Sequence, residues 1–235
     1  MYLCFFPLST GYQSGSFPSR RDLFWLAFAA GLGVPFQAVL GGITVLIKLT
    51  WWVVGLHFVT SIVLVALTTV FLVRVYAVPG PRVRAVPGWY AVTAYITSVV
   101  VAVTIVLGIV TTGTGPHAGD PATPRTGLNP EIIEHVHAIP AYLTFALTLV
   151  LVVGAWRLRG TPVRRFALLL LAVELVQITV GLIQSNTGLP GILVGIHMTL
   201  AATLAAVMTA VVMSLTAAAP RDAVDAGSAA ESVTA

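Results

Sequence analysis

The sequence predicts an all-α integral membrane protein with about six transmembrane helices. Of its 235 residues, 57% are hydrophobic and only 9% are charged, whereas soluble domains carry about 25% charged residues. The apolar runs are long enough for helices, which need about 20 residues to cross the hydrocarbon, and too long for barrel strands. Because backbone groups in lipid must be paired within the protein, these runs are expected to be helical.

Six apolar runs define the predicted helices. The long connection at 112–131 is rich in glycine and proline, which excludes a helix there. Residues 218–235 are rich in Ala, Ser and Asp without periodicity, which is typical of a disordered tail. The predicted helices are 23–47, 52–74, 88–111, 132–156, 166–184 and 191–217.

The basic residues predict the orientation. Ten of the twelve lysines and arginines fall on one side of the predicted helices, and only Lys48 and Arg125 fall on the other. Positive charge collects on the cytoplasmic side, so both termini are expected in the cytoplasm of a plasma-membrane protein, with loop 112–131 outside. The ten are Arg20, Arg21, Arg74, Arg82, Arg84, Arg157, Arg159, Arg164, Arg165 and Arg221.

Charge and cysteine content exclude other classes. The net charge of +4 comes from short loops between apolar runs, so it does not indicate a nucleic-acid partner. Cys4 is the single cysteine, which rules out an intrachain disulfide. The N-terminus lacks a basic segment followed by an apolar core, so we expect no cleaved signal peptide.

The sequence contains an internal repeat with an offset of 140 residues. Helices 23–47 and 52–74 are therefore predicted to be a second copy of 166–184 and 191–217, as internal duplication is common in membrane folds. Counterparts of the middle two helices would fall before Met1, so either the repeat unit is two helices or the chain lacks its first two. The matched pairs are Gln37 and Gln177, Gly41 and Gly181, Gly55 and Gly195, His57 and His197.

Three histidines are predicted at one depth in the outer leaflet. His57, His137 and His197 each lie five to seven residues inside the outer end of a predicted helix. Ionisable residues within a span usually face the bundle interior and are functional. Imidazoles on facing helices can hold haem iron, with His137 and His197 as the natural pair. The alternative is that each histidine only hydrogen-bonds to a neighbouring helix.

Other polar residues have weaker interpretations. His135 points away from His137, and His117 is interpreted as a solvated loop residue. Glu174 is interpreted as a partner in an interhelical hydrogen bond. The repeated glutamines, Gln37 and Gln177, either orient a ligand or join helices.

Several motifs resemble those of haem A synthases. GVPFQAVLGGITVL at 33–46 followed by HF at 57–58 resembles the third and fourth helices of that family. TGTGPHAGD at 112–120 resembles the outer loop of actinobacterial members, and HVHA at 135–138 resembles the start of the sixth helix. QITVGLIQSNTGLP at 177–190 with LVGIHM at 193–198 resembles the last two helices, so the resemblance spans about residues 20–217.

The resemblance implies a function. These proteins are pseudo-symmetric pairs of four-helix bundles that oxidise the C8 methyl of haem O to a formyl group for cytochrome oxidase assembly. It implies a b-type haem between His137 and His197, substrate haem O at His57, and contact with haem O synthase and cytochrome oxidase subunits. Gln177 is a candidate second-shell residue, and Arg125 is a candidate for binding propionates or else a solvated loop charge.

The chain also departs from the family pattern. The first helix, first outer loop and most of the second helix are absent, together with a substrate-side histidine, an acidic residue and a cysteine pair. We therefore divide the chain into an N-terminal bundle remnant at 1–87, a haem-binding bundle at 88–217 and the tail at 218–235. An incorrect start codon, a truncated gene or a degenerate protein would each explain the departure.

Two other functions stay open. A non-enzymatic b-type cytochrome or haem-handling assembly factor would need the same histidine pair but no substrate. A transporter would fit the internal repeat, although it would be expected to show broken helices near the midplane.

Overall fold

In a computed structural model, which describes residues 20–158 and 162–219, the chain folds into six long helices and one small sheet. All six helices are long and apolar enough to span a membrane, which confirms the predicted all-α membrane fold. The helices are α1 (Arg21–Leu46), α2 (Trp51–Tyr76), α3 (Gly88–Thr114), α4 (Pro130–Ala155), α5 (Val163–Asn186) and α6 (Gly191–Met213), and the strands are β1 (Arg82–Arg84) and β2 (Thr216–Ala218).

The outer loop is shorter than predicted at both ends. Helix α3 continues through Thr114, because Gly113 lets the Trp51 ring pack directly on the helix backbone. Helix α4 begins at Pro130, since the Asn129 side chain accepts a hydrogen bond from the Ile132 amide at 3.1 Å. Asparagine as N-cap followed by proline is a recognised helix start, and the sequence carried that signal.

The last helix ends earlier than predicted. Helix α6 stops at Met213 rather than at 217, and the chain turns to pair β2 with β1 in antiparallel register, Val83 opposite Ala217. Arg82 secures this pairing by donating to the Thr216 carbonyl at 2.9 Å. The expected tail therefore does not begin at 218, and residues 220–235 lie outside the described part.

Helices α3 to α6 form a closed four-helix bundle in which each packs on two others, and α2 joins α1 to its α3 and α6 side. The tightly packed core occupies the half of the bundle near β1. Its fully buried side chains include Tyr90, Leu151, Leu170 and Val211. The opposite, outer half of the bundle is left free for a cavity.

The two repeat copies share their outer turns. Lys48 and Leu49 have left-handed backbone conformations, with φ of 58° and 54°, and so do Gly188 and Leu189, with φ of 77° and 57°. The Leu49 amide donates to the Thr44 carbonyl at 2.8 Å, and the Leu189 amide to the Gln184 carbonyl at 2.9 Å. The repeat therefore extends from sequence to backbone geometry.

Candidate functional site

A cavity of about 510 Å³ lies in the outer half of the bundle. Its size falls within the usual range for ligand pockets, about 300–1,000 Å³. Side chains from α2 to α6 and from the outer loop line it. Its polar lining residues include His117, Glu134, His135, His137, Glu174, Gln177, Gln184 and His197.

Each membrane histidine packs against a glycine on the preceding helix. A Cβ on Gly41 would lie 3.4 Å from the His57 ring, and one on Gly181 would lie 3.2 Å from the His197 ring. These two pairs are related by the repeat. Gly108 meets the His137 ring in the same way, at 3.0 Å, so three helix pairs carry one packing motif.

The cavity brings His137 and His197 together. Their ring centroids lie 6.5 Å apart, with the planes inclined at 74°. A metal ion lies about 2.0–2.1 Å from an imidazole nitrogen, and the ring centroid lies about 1.1 Å behind that nitrogen, so a metal bound linearly between two rings separates the centroids by about 6.3 Å. The observed separation fits one metal ion held by both imidazoles.

The unpaired ring nitrogens also fit a ligand role. The Nδ1 atoms of His137 and His197 are buried without a hydrogen-bond partner. The backbone carbonyl of Thr104 lies beside the His137 ring, and that of Gln177 lies beside the His197 ring. A metal-bound histidine usually donates its other ring N–H to such a carbonyl, so a small ring rotation would complete this arrangement.

The two repeated glutamines have different surroundings. Gln37 donates to the His57 carbonyl at 3.3 Å and to the Ser61 hydroxyl, and it accepts from Thr60 at 3.0 Å. In the second copy the positions of Thr60 and Ser61 are Leu200 and Ala201, which carry no hydroxyl groups. The Gln177 Oε1 atom is therefore left buried and unpaired at the cavity.

Glu174 forms the deep end of the cavity. It is 4% exposed, and its Oε1 atom accepts a hydrogen bond from the Thr148 hydroxyl at 2.8 Å. This contact joins α4 to α5, in agreement with the interhelical hydrogen bond expected from the sequence. The Oε2 atom is buried without a partner.

His57 lies apart from the histidine pair. It packs between α1 and α2 against Gly41, whereas the cavity wall on that side is formed by Trp51, Gly55 and Phe58. The structure thus separates the site of His57 from that of His137 and His197.

The outer loop covers the cavity and rests on both repeat-related turns. His117, which was interpreted as a solvated loop residue, bonds through Nε2 to the Leu189 carbonyl at 2.6 Å. Gly119 packs directly against the carbonyl of Leu49, the repeat counterpart of Leu189. The loop is therefore fixed at two pseudo-equivalent points.

Two further candidates have local partners. Arg125 donates to the carbonyls of Asp120 at 3.3 Å and Pro116 at 3.4 Å, both within the loop. His135 bonds through Nδ1 to the Glu131 carbonyl at 2.7 Å and lies at the cavity mouth.

Sequence reasoning missed three contributors to the site: Gly108, Thr104 and Thr148. Gly108 precedes His137 by 29 residues, whereas the repeat pairs are 16 apart. The longer outer loop accounts for the difference, so a fixed spacing could not reveal the third pair. Alignment of residues by depth in the membrane would have found it.

Comparison with known proteins agrees with the motifs. The family model COX15-CtaA, described as cytochrome oxidase assembly protein, matches residues 2–209. No curated protein and no solved structure gives a significant match. Because the match spans most of the 235 residues, the chain belongs to the cytochrome oxidase assembly protein family COX15-CtaA, the haem A synthase family.

Proposed function

We propose that this protein is an oxidoreductase that oxidises the C8 methyl group of haem O to a formyl group, with a b-type haem held between His137 and His197. The observation that supports it most strongly is the 6.5 Å separation of the two imidazole rings inside a cavity of about 510 Å³. Membership of the haem A synthase family supports the same reaction class.

The residues at hand suit such a group. His137 and His197 supply one ligand from each side, and Gly108 and Gly181 fix the rings from behind. No amino-acid side chain oxidises an unactivated methyl group, so the iron cofactor supplies the redox chemistry. The chain contributes ligand orientation and a cavity screened from water by the outer loop.

We assign the substrate to the neighbourhood of His57. This histidine is packed against Gly41 in the same manner as the other two, and its backbone is held by Gln37. Arg125 and Gln177 remain candidates for cofactor contacts. Gln177 already faces the cavity, whereas Arg125 would need to exchange its loop carbonyl partners for a propionate.

The proposed setting is the plasma membrane, with both termini in the cytoplasm and the cavity facing outward. Haem O synthase as supplier and cytochrome oxidase subunits as recipients are the proposed partners.

The alternative is a non-enzymatic b-type cytochrome or haem-handling assembly factor. The observation that favours it is the separation of His57 from the histidine pair, since no second imidazole faces His57 within the described residues. Electron transfer or haem transfer would require only the cavity pair.

Conversion of haem O distinguishes the two functions. Cells that make haem O and lack other haem A synthases would express the full chain, and extracted haems would be separated chromatographically. Haem A with the natural chain, but not with His57→Ala, supports the enzyme. A chain that carries b-type haem yet forms no haem A is a cytochrome or assembly factor.

A further inference from the structure

A second depression lies at the other end of the bundle, between the start of α3 and the end of α4. This groove of about 340 Å³ is separate from the histidine cavity and shares no lining residue with it. It is lined by Trp89, Leu149, Val150, Val153, Gly154 and Arg157.

The wall of the groove is held in place by packing. Gly154 has no side chain, and a Cβ there would lie 2.6 Å from the Trp89 ring, so the indole rests directly on the α4 backbone. On its other side the indole meets Tyr90 edge to face, with centroids 5.5 Å apart. Tyr90 is fully buried, so the indole is braced by the bundle core.

The mouth of the groove carries a positive charge. Arg157 is exposed and lies just beyond the end of α4. Among the described residues, ion pairs join Asp22 to Arg20 and to Arg74, and none involves Arg157. Apolar walls with a tryptophan and an unpaired arginine at a helix end are the chemistry of a membrane interface.

We propose that this groove binds one anionic phospholipid of the leaflet on the arginine-rich side of the membrane. The headgroup phosphate meets Arg157, the glycerol backbone lies against Trp89, and one acyl chain follows Val150 and Val153. Basic pockets between transmembrane helices are known to bind acidic lipid headgroups. A volume of about 340 Å³ lies at the low end for ligand pockets, which suits part of one lipid.

Native mass spectrometry of the full chain tests this proposal. The detergent-purified protein would be mixed with phosphatidylglycerol or with phosphatidylcholine of the same acyl chains. We expect preferential retention of phosphatidylglycerol. In Arg157→Gln that preference falls about fivefold, the effect expected for one arginine near an anionic phosphate.

Two variants complete the test. Arg165→Gln is the matched control, because Arg165 is exposed at the same end but stacks on Phe166 at 4.6 Å, outside the groove. It should keep the preference. Val153→Trp should fill the groove and lower retention of both lipids, and it carries the test if Arg157→Gln does not fold. Equal retention of the two lipids by the natural chain, or retention unchanged in Val153→Trp, would overturn the proposal, as would dimerisation through this face.

Discussion

At the residue scale, the contacts between imidazoles and glycines determine whether the site can form. The Gly181 position leaves 3.2 Å to the His197 ring, so any larger side chain must displace the imidazole. The same argument applies to Gly108 and His137. The glycines are thus as necessary to the proposed site as the histidines.

Gly181→Leu is therefore expected to lower haem affinity about 10–100-fold, the usual effect of losing the orientation of a ligand. Haem per protein after purification measures it. Gly42→Leu is the matched control, because a side chain at Gly42 meets nothing within 4 Å. Equal haem content in the two variants would show that the glycine contact does not hold the ring.

Thr148 should matter for stability. Thr148→Val removes the hydroxyl donor and leaves both oxygens of buried Glu174 unpaired, which costs about 1–3 kcal/mol. Unfolding in detergent measures the loss, and Thr148→Ser should restore most of it. An unchanged midpoint in Thr148→Val would mean that water already satisfies Glu174.

Residue-scale prediction from sequence reached the histidines but not all of their surroundings. Scarcity of polar residues in the spans drew attention to His57, His137, His197 and Glu174. Thr104 and Thr148 resemble many other threonines of the chain, so only the packed structure singles them out. The separate position of His57 also depends on packing that spacing does not encode.

At the element scale, two equivalent turns support one loop. The left-handed turns at 48–49 and 188–189 present the Leu49 and Leu189 carbonyls to Gly119 and His117. The repeat predicted similar helices, but it gave no indication that the outer loop would contact both turns.

Gly119→Ala should destabilise this loop. Its φ of 126° disfavours a side chain, and the new Cβ would also collide with the Leu49 carbonyl oxygen. Gly80→Ala shares the backbone strain, with φ of 129°, but meets nothing within 4 Å. The thermal midpoint should fall further in Gly119→Ala, and equal shifts would remove the loop contact from the account.

Element boundaries were predictable where capping chemistry was local. Asn129 and Pro130 mark the start of α4 plainly. The end of α6 was not predictable, because it depends on the pairing of 216–218 with 82–84, which are more than 130 residues away.

At the scale of the whole molecule, the bundle has a packed half and a hollow half. The fully buried side chains lie near β1, and the cavity lies toward the outer loop. Hydrophobic length alone predicted the six spans, and the arginine bias predicts which half faces the cytoplasm.

Cysteine labelling checks that orientation. In a Cys4→Ser background, Ala122→Cys in the outer loop should react with an impermeant maleimide added to intact cells. Val78→Cys, which is 68% exposed at the other end, should react only after permeabilisation. The reverse pattern would invert the topology.

The most direct measurement for the account as a whole is a reduced-minus-oxidised optical spectrum of the purified chain, recorded beside His137→Ala and His197→Ala. We predict a low-spin b-type haem spectrum that is lost in both variants and kept in His57→Ala. A folded chain without haem, or a spectrum unaffected by either substitution, would contradict the proposed site between α4 and α6.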